Sequence, residues 1–380
     1  MRILFVNSHV DKGGGQAIQT LQLFRALRSR IDAEFLVLQG SGVHQELLRE
    51  PGVRSVGALR YPQGIESLRR AIGKASGQFD LVHVNDVYFG LPATYLARAY
   101  PRVVLFGTDP VQELGWRYGP GVREAVRASL PVLLAGSTLV TNSEPLGDAF
   151  RRFSPVVIPN GIDPKRFAVL PSRDAARLEL GLEDSARIVL YVGKVIPVKR
   201  VEWLLEAIQR VPDARLVIVG GFREEHYGDS YYRGLLRSYP EALPRTSFVG
   251  EVPSSRVDTY LAAADLFAFP SRFEGMPNAV MEAMAAGLPI VASDIPAHRA
   301  LLLVERTGLL VRSGGEMGET IARLLADDRL CRQLGAASRQ FVQEHLAMDV
   351  IRDRYLTLYR SVLAGSGRGA AAAPVGEGQP

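Results

Sequence analysis

Short apolar runs alternate with helical patterns along nearly the whole chain, and this alternation limits the fold more than any other feature. The runs Ile3–Asn7, Glu34–Leu38, Leu81–Val84, Val103–Phe106 and Leu139–Thr141 read as parallel strands buried on both faces. Helical patterns such as Ala17–Arg30 and Val122–Leu134 lie between most of them. Strand and helix in alternation predict a doubly wound α/β sheet. The segment VVIPNGIDPKRF, Val156–Phe167, then brings Pro159, Asn160, Gly161 and Pro164 together, a density of turn formers that marks a boundary.

A second set of alternations follows. Arg187–Val192, Leu216–Val219, Ser247–Val249, Leu266–Phe269 and Pro289–Ala292 read as strands, with helices over Val201–Arg210, Arg256–Ala263 and Ala279–Ala286. Long helices run from about Glu316 to Arg360. At roughly 100–200 residues per domain, the 380 residues make two α/β domains, over 1–165 and 166–345. A terminal helix over 346–364 is expected to pack back on the first domain. The Gly/Pro-rich tail 365–380 is expected to be disordered. In open α/β sheets ligands bind beyond the carboxyl ends of the strands, and two such sheets in tandem predict a ligand cleft between them.

Composition removes several classes. The single cysteine, Cys331, can form neither an internal disulfide nor a cysteine-based metal site, and its helical context DDRLCRQLG reads as a structural thiol. No run reaches the ~18 apolar residues of a membrane span; Leu130–Val140 is short and carries Gly136, Ser137 and Thr138. The opening MRILFVNSHV reads as a strand rather than a leader, so a cytoplasmic protein is expected. The formal charge of +5 lies wholly in the first half, where residues 1–165 hold 19 Lys/Arg against 14 Asp/Glu. Such an excess suits anionic lipid head groups or phosphorylated acceptors at a membrane face, although it also fits an ordinary solvated surface. A nucleic-acid partner is not expected.

Three motifs can carry chemistry. In PSRFEGMPNAVMEAMAAGLPIVASD, Pro270–Asp294, a strand gives way to a loop with Glu274, Gly275, Met276 and Pro277. A helix then starts near Asn278 and carries Glu282 one turn in. The unpaired N–H groups at the helix start suit an anion or sugar oxygens. Glu282 lies in an apolar stretch, where a carboxylate needs a partner; ligand hydroxyls or an arginine would both serve. In YVGKVIPVKRVEWLLEAI, Lys194 and Lys199 occupy a strand-to-helix loop suited to phosphate. In DKGGGQA, the glycines Gly13, Gly14 and Gly15 allow close backbone approach to a ligand. That loop matches neither the G-x-G-x-x-G fingerprint nor a P-loop.

Taken in order, these motifs resemble glycosyltransferase family 4, a group of retaining transferases. The resemblance covers nearly the whole chain and is strongest from Val156 to about Val342. Glu274 and Glu282 match the family's E-x7-E pair, and the PNGID linker, the Val219–Gly221 turn and the Val249–Val252 turn fall in the family order. The resemblance implies a GT-B fold, with two Rossmann-like doubly wound domains facing a central cleft. It implies that Glu274 holds the donor sugar together with backbone N–H groups around Met276, Pro277 and Asn278, Pro277 itself having none. It further implies that Glu282 binds ribose, Lys199 and Lys194 the pyrophosphate, the turn near Val252 the nucleobase, and Gly14 and Gly15 the diphosphate from the other domain. Lys194 stands where the family has arginine, which keeps the charge and loses the bidentate fork.

The family also carries a histidine after the strand that here reads VVLFGTDP; this chain has Gly107, Thr108 and Asp109. Asp109 or Thr108 is the expected substitute, with His83 and His9 as further strand-end candidates. The implied reaction moves a sugar from a nucleoside-diphosphate donor to a glycan, glycolipid or small-molecule acceptor with retention. It needs no metal or other cofactor, and Glu274, Lys199 and Asp109 form the catalytic set. An epimerase or phosphorylase on the same fold, or an inactive sugar-nucleotide-binding relative, is the alternative.

Overall fold

A computed structural model describes residues 1–8, 15–39, 47–58, 60–75, 77–183, 185–222, 229–303 and 306–365. The chain divides into two compact units: Met1–Gly161 together with the chain from Met348, and Ile162–Ala347. The break precedes residue 165 because Ile162 and Phe167 are buried in the second unit's core.

The first unit is a seven-stranded parallel sheet in the order β3-β2-β1-β4-β5-β6-β7. Its strands are β1 (Arg2–Val6), β2 (Asp32–Gln39), β3 (Val53–Ala58), β4 (Leu81–Val84), β5 (Arg102–Phe106), β6 (Ser137–Thr141) and β7 (Val156–Val157). Alternate side chains enter opposite cores, as period-2 geometry requires. Ile3, Phe5, Leu81 and His83 face one core, while Leu4, Val6, Val82 and Val84 face the other. The terminal helix Met348–Leu363 belongs to this unit and buries Ile351, Tyr355, Leu358 and Tyr359 in the Phe5 core.

The second unit is a six-stranded parallel sheet in the order β10-β9-β8-β11-β12-β13. Its strands are β8 (Arg187–Val192), β9 (Ala214–Val219), β10 (Thr246–Gly250), β11 (Leu266–Phe269), β12 (Ile290–Ser293) and β13 (Leu309–Val311). The order runs outward from β8 to one edge, then restarts at β11 on the other side of β8. The helices after β8 and β11 therefore cover opposite faces, and the crevice between these two strand ends is where such sheets bind ligands.

Cys331 is half-buried, its Sγ donates to the Leu324 carbonyl at 3.0 Å, and burial pushes its pKa up to about 11, which fits a structural thiol. Among the described residues no helix is long and apolar enough to cross a membrane.

Candidate active site

The loops that leave β8 and β11 carry the residues singled out in the sequence. After β8 the chain passes through Lys194 and the turn Pro197–Lys199 into the helix Val201–Gln209. The start of this loop lies so close to the turn after β9 that a Cβ on Gly220 would sit 2.0 Å from the Gly193 carbonyl oxygen. Gly220 has φ 147°, a conformation that only glycine adopts readily. Val195 N–H donates to the Gly221 carbonyl at 2.8 Å and fixes the next residue. Lys194 is exposed, and its carbonyl accepts from the buried Tyr191 hydroxyl at 2.9 Å.

The loop after β11 is braced from both sides. Arg272 N–H donates to the Val198 carbonyl at 2.7 Å, and the Ser271 hydroxyl donates to Val198 and Phe273 carbonyls at 3.3 and 3.1 Å. From β12, the Ser293 hydroxyl donates to the Ser271 carbonyl. This bracing brings the Lys199 ammonium onto the Glu274 carboxylate, with both side chains largely buried. The ammonium also lies 5.5 Å from the centre of the Phe269 ring. Gly275 and Pro277 are buried, and Met276 is half-buried against the core.

The helix Asn278–Ala286 follows without a side-chain cap at its start. It ends at Gly287, φ 79°, against the helix Asp328–Phe341, where Arg339 donates to the Ala286 carbonyl at 2.6 Å. Glu282 is paired with arginine: Arg166 Nη1 donates to its Oε1 at 2.9 Å. Burial raises the Glu282 pKa and the neighbouring Asp258 adds to the rise, with Arg166 acting against both. Arg166 itself binds Asp258 through Nε at 2.9 Å and through Nη2.

His298 stands behind the Lys199–Glu274 pair. Its Nδ1 lies 2.7 Å from the Ser293 carbonyl and must donate there, which leaves Nε2 as a buried acceptor with no partner among the described residues. Burial pushes its pKa down to about 4, and Glu274 and Lys199 act on it in opposite directions. Val252 is half-buried against the second core, between β10 and the helix Ser254–Ala263.

The remaining candidates belong to the first unit. Asp109 caps the helix Pro110–Tyr118, its Oδ1 accepting from Val111 and Gln112 N–H at 2.9 and 3.2 Å. The Thr108 hydroxyl donates to Glu113 at 2.7 Å. His83 is a core residue: its ring stacks on Phe5, its Nδ1 lies 2.6 Å from the Tyr359 hydroxyl, and burial drops its pKa to about 3. That placement gives it a structural part rather than the strand-end role expected. Gly15 opens the helix Gly15–Arg28, while Gly14, Gly13 and His9 lie outside the described residues. Among those residues no group of three or more His, Cys, Asp or Glu could hold a metal ion.

Sequence reasoning missed Arg166, Asp258 and His298. Arg166 closes the PNGIDPKR segment, so its position could be read, but its partners lie 92 and 116 residues downstream. No local pattern announces that pairing.

Known proteins place this arrangement. The model described as Glycosyltransferase Family 4 matches residues 13–166, and that described as Glycosyl transferases group 1 matches residues 186–327. The chain is 30% identical to the alpha-maltose-1-phosphate synthase of Mycolicibacterium smegmatis, over 75% of this chain and 79% of that one. It is 27% identical to the GDP-mannose-dependent monoacylated alpha-(1-6)-phosphatidylinositol monomannoside mannosyltransferase of Corynebacterium glutamicum, over 73% and 77% of the two chains. The fold matches that of the sucrose-phosphate synthase of Thermosynechococcus elongatus with a TM-score of 0.83 at 25% identity, covering 96% of this chain and 100% of that one. Its two parallel, Rossmann-like sheets are those of a GT-B enzyme. The chain belongs to glycosyltransferase family 4.

Proposed function

We propose that this glycosyltransferase moves a sugar from a nucleoside diphosphate to an acceptor hydroxyl, with retention at the anomeric carbon, in glycolipid or surface-polysaccharide synthesis. One observation carries the reading: Lys199 and Glu274 meet at the switch point of the second sheet, and the next helix presents Glu282.

Donor binding exchanges partners. The diphosphate takes Lys199 from Glu274, and Glu274 accepts from hydroxyls of the transferred sugar. Backbone N–H groups of Gly275, Met276 and Asn278 add to the sugar pocket, Glu282 binds the ribose, and Val252 lies against the base. Lys194 supplies a second positive charge to the diphosphate. The bond from the anomeric carbon to the diphosphate oxygen breaks as the acceptor oxygen attacks the same face. The departing phosphate takes the acceptor's proton. Lys199 and the helix start stabilise the charge that develops on the leaving group. Glu274 is thus a positioning group rather than a nucleophile. Asp109 keeps Oδ2 outside its cap and is the first-unit candidate for orienting the acceptor. The step uses no metal or other cofactor.

The names of all three relatives carry a phosphate. With the basic first half of the chain, this supports an anionic acceptor and peripheral contact with an anionic membrane. Binding to anionic vesicles that weakens as salt rises is the expected result; no binding at low salt overturns the membrane part.

Thermal unfolding with UDP, GDP, ADP, dTDP, their sugars and NAD tests the donor assignment. A ligand at ~100 times its dissociation constant adds about 2.7 kcal/mol of apparent stability. A shift with one diphosphate and its sugars, lost in Glu282→Ala, is expected. A folded protein that responds to none of them overturns the reading.

A further inference from the structure

We infer that Arg166 is a positioning residue for nucleotide recognition: anchored on Asp258, it fixes one oxygen of Glu282 and leaves the other for the ribose. The inference rests on the ribose role proposed for Glu282.

The sequence sets this up locally. Asp163 caps the short helix Pro164–Ala168 by accepting from Lys165 N–H at 3.0 Å, and Pro164 opens it. Phe167 is buried in the core, while the Arg166 guanidinium lies 4.9 Å from the centre of its ring. The planar fork then divides its donors. Nε and Nη2 grip Asp258 through both carboxylate oxygens, and Nη2 also reaches the Ser254 carbonyl at 3.2 Å. Nη1 alone goes to Glu282, and only to Oε1. Glu282 Oε2 makes no hydrogen bond among the described residues. An arginine clamped at one end by Asp258 can hold a second carboxylate in a fixed direction, which a single-headed lysine cannot.

The charges give Arg166 a second effect. Asp258 and Glu282 are two carboxylates with one cation between them. Lys165 on the helix of Arg166 is exposed. On the other elements packed against Asn278–Ala286, Arg256 pairs with Glu179, and Glu344 and His345 pair with each other. Arg339 serves the Ala286 carbonyl at the far end of the helix. Among the described residues, the charged groups that bear on Glu282 are Arg166 and Asp258. Burial and Asp258 both favour the protonated acid, and Arg166 opposes them. Without Arg166, Glu282 therefore holds its proton to higher pH and, when protonated, is a poorer acceptor for a ribose hydroxyl.

The test uses the full chain and whichever of UDP, GDP, ADP or dTDP binds the native protein, alongside its ribo or 2′-deoxyribo counterpart. In Arg166→Met, affinity for the ribonucleotide is expected to fall about tenfold to a hundredfold at the acid end of the range over which the protein stays folded. It should recover as pH rises and Glu282 ionises. Guanidinium ion is expected to restore part of the loss in Arg166→Ala. Adding Asp258→Asn to Arg166→Met removes the repulsion and leaves the burial, so the recovery should move to lower pH. Should the methionine and alanine variants fail to fold, Arg166→Lys and Asp258→Asn carry the same comparison. A pH-independent loss with no guanidinium rescue, or unchanged ribonucleotide affinity, overturns the inference, provided that Glu282→Ala alters ribo against deoxyribo preference. If Glu282→Ala leaves that preference unchanged, the ribose reading itself falls.

Discussion

Lys199 and Glu274, 75 residues apart in sequence, form an ion pair across the switch point between β8 and β11. The two groups proposed to hold different parts of the donor hold each other in this structure. Lys199→Ala is therefore expected to cut turnover about a hundredfold to a thousandfold, since a charge aimed at the leaving group is lost. Pairing Lys199→Ala with Glu274→Ala should cost less than the sum of the single effects, because each single variant leaves an unpartnered charge. Steady-state rates with a saturating donor measure both. Unchanged turnover in Lys199→Ala would remove the lysine from the reaction.

Two buried histidines make the fold acid-labile, one in each unit. Burial lowers His83 to about 3 and His298 to about 4, against about 6.5 in an unfolded chain. The unfolded state thus binds protons first as pH falls. Stability is intact above about pH 6.5 and declines below it, reaching a loss on the order of 3–5 kcal/mol per histidine near the folded values. Melting temperatures between pH 7 and 4 should show this fall. His83→Phe should reduce the slope, and an unaltered slope would assign the acid loss to other groups.

Asp265 joins three elements of the second unit. It accepts from Arg177 Nη2 at 2.6 Å, Arg173 Nη1 at 3.0 Å and Ile188 N–H at 2.7 Å. Arg177 is 2% exposed and also donates to the Ala263 carbonyl at 3.0 Å, so losing Asp265 removes the counter-charge of a buried cation. Asp265→Ala should lose about 3–5 kcal/mol while donor KM stays near native. Denaturant titration and donor kinetics separate these two effects.

Gly335 sets how closely the helix Asp328–Phe341 crosses the end of the Glu282 helix. A Cβ there would lie 2.0 Å from the Gly287 carbonyl oxygen. Gly335→Ala is expected to push the two helices apart at a cost of about 1–3 kcal/mol. Because the displaced element carries Glu282, nucleotide affinity should fall with the melting temperature. A variant as stable as the native protein would mean that the crossing relaxes freely.

The central strands could be read directly because they are buried on both faces and nearly continuously apolar. β8 and β11 match the sequence reading residue for residue. Three of the four edge strands could not, β10 being the exception. β3, Val53–Ala58, alternates with exposed polar positions and contains Gly57, while β7 and β13 have only two and three residues. The helix start at Asn278 and the lysine loop were legible because strand, loop and helix signals sit next to each other in the chain. The Asp109–Pro110 pair carries a local capping signal as well, which the functional reading passed over. Arg166 and His298 were opaque for another reason: their surroundings are assembled by the sheet order, and chain distance does not report on that.

The terminal helix Met348–Leu363 has a consequence for biosynthesis. It supplies Tyr355 and Tyr359 to the core that holds Phe5 and His83, so residues made after the second unit close a sheet whose strands are made before it. During synthesis the second unit, continuous from Ile162 to Ala347, is complete before its predecessor. Until that helix arrives, one apolar face of the first sheet is covered only in part, by the helix Gly15–Arg28, and partly bare apolar faces are where nascent chains aggregate or recruit chaperones. Premature termination after Ala347 would spare every strand of the two sheets described, yet it would leave the first unit unfinished.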